Sequence, residues 1–125
     1  MAGSPARETV LVDAENVRRS RWPNLSRDEL VRRAREWARA NGKQLVVVFD
    51  GPPPERAADL VAGEPSADDW LAAHAAEYVP YWLVTSDREL RERAGAAAER
   101  IVGGGRFLEM IEPGSGEVSR TRSRR

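Results

Sequence analysis

A single α/β domain with a parallel central sheet is what this sequence predicts. Two observations carry that expectation. Three short, strongly apolar runs end on an aspartate: VLVDAEN at Asp13, LVVVFDG at Asp50 and YWLVTSD at Asp87. Runs of about 4–8 β-branched and apolar residues bounded by polar or turn residues read as buried strands. Between them lie helical patterns, and strands alternating with helices belong to one parallel sheet. Ligands of such sheets bind beyond the carboxyl ends of the strands, where these three carboxylates fall.

The elements follow in order. Thr9–Val12 is the first strand. Arg18–Asn24 is a polar, arginine-rich loop carrying Trp22 and Pro23. Ser26 with Glu29 fits a capping box. The helix after it places Leu30, Ala34, Trp37 and Ala38 on one core-facing stripe, and Asn41-Gly42 ends it. Leu45–Phe49, apolar throughout, is expected to be a central strand, and the prolines at 52–54 break the chain after it. Ala58–Ala62 reads as a short strand or a helical turn, with the strand favoured. Ser66 opens a second capped helix running to about Tyr78. Tyr81–Val84 is the next strand, and Ser86 to Glu89 forms a third capping box opening a helix through Ala98. Ile101-Val102 is a last short strand, leading through three glycines to a helical turn at Phe107–Ile111.

At 125 residues the chain is one domain. No apolar run approaches the roughly 18 residues of a membrane span, and MAGSPARE lacks an apolar signal core. A soluble cytoplasmic protein without a membrane partner is expected. With no cysteine and one histidine, His74, the chain has no thiolate site and little basis for a histidine metal site. His74 itself reads as a surface or packing residue, and Trp37, Trp70 and Tyr81 read as core. Formal net charge is zero, yet residues 113–125 carry four arginines and one glutamate. That tail is expected to be disordered; it serves either as a soluble end or as a contact for nucleic-acid phosphates. Residues 1–8 are expected to be a flexible start and 9–112 the folded domain.

Each aspartate has an innocent explanation. Asp68 and Asp87 fall in first turns of helices, where negative charge meets the positive dipole end. Asp69 stands at the capping-box return position after Ser66, and Asp50 before Gly51 is ordinary turn chemistry. Together they are harder to dismiss. A parallel sheet puts Asp13, Asp50 and Asp87 on one edge, and a right-handed crossover adds Asp68 or Asp69. Clustered like charges are costly without a positive partner, and oxygen-only ligands select a hard cation, Mg²⁺ or Mn²⁺. Such a site suits phosphoryl chemistry. The three glycines at 103–105 do not form a phosphate loop, since neither a GKS/GKT nor a GxGxxG pattern follows a strand there.

LVDAEN, VVVFDG, SADDW and LVTSDRE, in this order and spacing, resemble the NYN domain, a branch of the PIN-like nucleases. The similar subgroup is the YacP-like proteins, with DGYN, VVFDG, TADD and VTSDR at these places. The likeness runs from about Thr9 to Ile111, and Ala14-Glu15 departs from the subgroup's glycine-tyrosine pair. It implies a single Rossmann-like, PIN-like three-layer domain with a mainly parallel sheet. It also implies a metal-dependent endoribonuclease using Mg²⁺ or Mn²⁺, in some members on ribosome-associated messenger RNA. By position, Asp13, Asp68 and Asp87 would be catalytic metal ligands, with Asp69 a further metal candidate beside Asp68. Asn16, Asp50, Thr85 and Ser86 would support the site. Arg18, Arg19, Arg21 and Arg88 are candidates for phosphate contact, and Trp22 either stacks a base or tucks its loop onto the sheet. RNA, and with it the ribosome, are the expected partners of a monomer or weak homo-oligomer. The alternative is an RNA-binding or ribosome-associated module with little turnover. A phosphatase of another α/β family is disfavoured, since strand one lacks a paired DxD.

Overall fold

The computed structural model describes residues 7–113. Five parallel strands form one sheet in the order β3-β2-β1-β4-β5. They are β1 (Thr9–Asp13), β2 (Gln44–Asp50), β3 (Leu60–Gly63), β4 (Tyr81–Val84) and β5 (Arg100–Val102). The helices are α1 (Ala14–Arg18), α2 (Arg27–Ala40), α3 (Ala67–His74), α4 (Arg88–Ala94) and α5 (Gly104–Ile111), with a 3₁₀ turn at Ala75–Tyr78 after α3. This is a Rossmann-like three-layer domain. The short strand expected near residue 60 is present.

Side-chain alternation sorts the sheet into two cores. Val10, Val12, Val47, Phe49, Trp82 and Val84 pack with residues of α1, α2 and α5, including Val17, Leu30 and Phe107. Leu11, Val46, Val48, Tyr81 and Leu83 pack with Leu71 of α3 and Leu90 of α4. The same parity continues to the strand ends. Asp13 is in step with Leu11, and Asp50 with Val48, so both belong to the α3/α4 side. Asp13 pairs in register with Val48, which sets Asp50 about 7 Å further along the strand direction.

Local chemistry explains the helix boundaries. Ser26 caps α2 and Ser66 caps α3, their hydroxyl oxygens accepting from the Glu29 and Asp69 amides at 3.1 and 3.2 Å. Asn41 ends α2, and Gly42 follows with a φ of +66°, a conformation that suits glycine. Ahead of β1, Arg7 donates to the carbonyls of Gly42 and Lys43, and Glu8 pairs with Lys43.

β2 is interior, between β1 and β3, as its apolar run predicts, and β1 is the middle strand. Three details differ from the sequence expectation. Ala14–Arg18, of which only Arg18 was expected in a loop, forms the short helix α1. Helix α4 stops at Ala94 rather than Ala98, at a glycine whose helix propensity is poor. Its N-cap is Asp87 rather than Ser86, because Ser86 is engaged elsewhere. The expected flexibility of residues 1–6 and the basic tail beyond Pro113 lie outside the described residues.

The β2–β3 connection contains only residues 51–59, short for a parallel crossover. It succeeds because β3 begins opposite Val47 and pairs only with the second half of β2. Gly63 then lets α3 start directly against the sheet. A Cβ there would lie 2.8 Å from both the Ala67 Cα and the Phe49 carbonyl oxygen, all rigid backbone. Gly63→Ala is therefore expected to cost about 1–3 kcal/mol, read as a lower urea midpoint at unchanged slope. An unshifted midpoint would show that α3 can move away without loss.

Candidate active site

Helix starts and strand ends build an acidic cleft of about 520 Å³ at the carboxyl edge of the sheet, lined by Asp13, Asp50, Asp68 and Asp87 among others. Asp13 comes off the middle strand and is only 4% exposed. Thr85, fully buried after β4, donates its hydroxyl to Asp13 Oδ2 at 3.0 Å. The same hydroxyl oxygen accepts the Asp87 N–H at 3.1 Å. Asp87 Oδ1 accepts the amides of Glu89 and Leu90 at 2.9 and 3.4 Å, capping α4. Asp50 Oδ1 accepts the Ala67 amide at 2.7 Å, at the start of α3. Two of the four carboxylates thus hold helix starts while facing a common cleft.

Asn16 and Ser86 join the other wall. Asn16 Oδ1 accepts the Ser86 amide at 2.8 Å, and Ser86 Oγ accepts the Gly104 amide at 2.8 Å. Both residues line the cleft. These contacts tie α1, the loop after β4 and the start of α5 into one unit.

Asp68 and Asp69, adjacent in sequence, have different surroundings. Asp68 lines the cleft. Burial, then the charges of Asp87 and Asp50, raises its proton affinity above the ordinary carboxylate range. Asp69 is turned to Arg93 Nη2 at 2.9 Å and to the Ser66 hydroxyl at 3.1 Å. Those two hydrogen bonds hold its carboxyl below the ordinary range.

The arginines divide too. Arg18 donates to Glu15 Oε1 at 3.1 Å and to the Leu25 carbonyl at 2.9 Å, a structural tie. Arg21 pairs with Glu109 at 2.9 Å. Arg88 is exposed but does not line the cleft. Arg19 does line it, with a 63% exposed side chain and a loose 3.4 Å pairing to Glu15. Sequence reasoning missed Glu15 as an organiser: it is 5% exposed and collects Arg18, Arg19 and Arg27. Its spacing of three and four residues from Arg18 and Arg19 is the signal that could have found it. Arg93, which takes Asp69, carries no such local signal.

Among the described residues, no three acidic or histidine side chains converge closely enough to form a metal cage. The donor set nevertheless suits a hard cation that keeps much of its water and uses few carboxylates, the usual habit of Mg²⁺. Fold and site together define an α/β domain with an acidic cleft at the carboxyl edge of a parallel sheet. The chain matches no protein-family model, no curated protein and no solved structure. Among the described residues, no helix is long and apolar enough to cross a membrane.

Burial raises the Asp13 carboxyl from an ordinary 3.8 to about 7; the Thr85 hydrogen bond opposes the shift, and Asp68, Asp50 and Asp87 add to it. The folded state therefore holds more protons than the unfolded state between those values, and stability falls as pH rises through that window. At about 1.4 kcal/mol per pH unit, ionised Asp13 costs on the order of 4 kcal/mol above the window. Asp13→Asn keeps an acceptor for Thr85 and removes the charge. Without divalent cations, it is expected to raise the melting temperature by several degrees at pH 8 and by little at pH 4. A variant no more stable than the parent at pH 8 would show that burying this carboxylate is not costly.

Proposed function

We propose that this protein is a metal-dependent endoribonuclease that hydrolyses RNA phosphodiester bonds, a PIN-like enzyme of the NYN type. The observation that carries the reading is the convergence of Asp13, Asp50, Asp68 and Asp87 on one cleft at the sheet's carboxyl edge. Four carboxylates from four separate segments repel one another, and burial has raised the proton affinity of two of them. Such a group is matched by a cation rather than by an apolar ligand.

Asp13 and Asp68 would hold Mg²⁺ or Mn²⁺ together with its retained waters, and Asp87 would add its charge from the same cleft. A bound cation of this type supplies charge compensation to the phosphodiester and lowers the pKa of a coordinated water. The protein's own part is to fix the ligands. Thr85 orients Asp13, and the helix-cap bonds orient Asp50 and Asp87. Asp69, neutralised by Arg93, supports the start of α3 rather than the ion. Arg19 is the arginine placed to meet a substrate phosphate, whereas Arg18 serves the loop.

A second reading, an RNA-binding or ribosome-associated module with little turnover, draws on a specific observation. Asp50 holds the first amide of α3, Asp87 caps α4, and Asp13 is engaged by Thr85. In that reading the acidic residues hold the fold and RNA is retained uncut, with binding that persists in EDTA.

Cleavage of a labelled RNA panel by EDTA-treated protein, with and without added manganese, separates the two. Manganese-dependent products are expected, and Asp13→Asn and Asp87→Asn should each lower the rate by at least about 100-fold, the upper end for removing an outer-shell partner of a metal site. Asparagine also caps helices well, so Asp87→Asn should stay folded. Cleavage surviving both substitutions would rule out this site.

A further inference from the structure

Trp22 is 87% exposed. The other three tryptophans are packed: Trp37 against Trp82 and Phe107, with ring centroids 5.9 and 5.3 Å away, and Trp70 against His74 at 4.6 Å. A single exposed apolar residue is ordinary on a protein surface. This one differs in its mounting.

Its loop is fastened at several points. The Leu25 amide donates to the Arg18 carbonyl at 3.1 Å, and Arg18 Nη1 returns to the Leu25 carbonyl at 2.9 Å, closing the loop at its base. The Ser20 hydroxyl donates to the Asn16 carbonyl at 2.7 Å. Arg21 pairs with Glu109 on α5 at 2.9 Å. Glu15 takes Arg18 and Arg27 from the two sides of the loop. The tryptophan is thus displayed by a pinned segment, and the alternative of a side chain tucked onto the sheet is excluded.

The loop also adjoins the cleft. Arg19 and Ser20 line the acidic cleft, and Trp22 lies two residues beyond Ser20, a reach of about 7 Å at most. An exposed indole and, three residues before it, a solvent-facing guanidinium on the cleft wall match the two halves of a nucleotide. Aromatic side chains stack bases without regard to sequence, while arginine meets the phosphate. A base must be unpaired to offer a face to Trp22, since a duplex keeps its bases stacked inside.

Resting on the ribonuclease reading, we infer that the loop at residues 19–24 is a binding site for an unpaired base of the substrate strand, with Trp22 stacking on the base and Arg19 meeting the adjoining phosphate.

Fluorescence anisotropy with labelled oligouridylate and with an RNA duplex of equal length tests this, using Asp13→Asn protein to prevent turnover. Adding Trp22→Ala is expected to weaken oligouridylate binding about ten- to a hundred-fold. Trp22→Phe should retain most of the affinity, and duplex binding should not change. Arg19→Ala should flatten the log–log salt dependence by about 0.7, one phosphate contact on a single strand. Because Trp22 is exposed, the melting temperature should stay with the parent. Equal oligouridylate affinity with and without Trp22 would overturn the inference. If the Trp22→Ala protein with Asp13 intact still cleaves RNA like the parent, stacking fails while the nuclease reading stands. A parent that neither binds nor cleaves RNA ends both.

Discussion

Thr85 has no exposed surface; its hydroxyl proton goes to Asp13 Oδ2, and its oxygen accepts the Asp87 N–H. Its backbone is equally committed, with its amide donating to the Val102 carbonyl and its carbonyl accepting from Arg91. One residue therefore joins the ends of β1, β4 and β5 to the start of α4. Without that hydroxyl, the buried Asp13 carboxylate would lose its hydrogen bond, and an unsatisfied buried charge is among the costliest defects in a protein. This bridge fixes the positions of two of the cleft's four carboxylates at once.

Charge is handled differently on the two sides of the cleft. On the α1 side, Glu15 is almost fully buried, but three arginines surround it. On the α3 side, Asp69 is answered by Arg93. Between these pairs, Asp13 and Asp68 carry raised proton affinities. The protein thus compensates its peripheral acids and leaves the central ones uncompensated. Arg18 and Arg21 belong to the first group, which is why a run of arginines in sequence does not become a run of phosphate contacts.

Much of this was legible in the sequence. Apolar runs ending in aspartate announced the parallel sheet, and serine followed three residues later by an acid marked the starts of α2 and α3. The separation of Asp68 from Asp69 also followed from capping chemistry, because the third residue after Ser66 is drawn back to the cap. The same pattern misled at Ser86. There the strand end already required Ser86 to serve Gly104 and Asn16, so the cap passed to Asp87. Helix α1 was hidden because five residues are too few for periodicity to show. Arg93 finds Asp69 across 24 residues, and such a pairing exists only once the fold has formed.

Helix starts at the cleft offset only part of the repulsion among its four carboxylates. Asp50 accepts the first amide of α3, and Asp87 caps α4. Two helix N-termini therefore meet cleft acids directly, and each such placement is worth about 0.3–1 kcal/mol to a nearby anion. That sum is smaller than the cost of ionising Asp13 alone, on the order of 4 kcal/mol. The caps hold the carboxylates in place without neutralising them. What remains is a fixed, under-compensated negative site whose geometry is set by the fold itself. Preorganisation of this kind lets binding energy go into the encounter rather than into assembling the site.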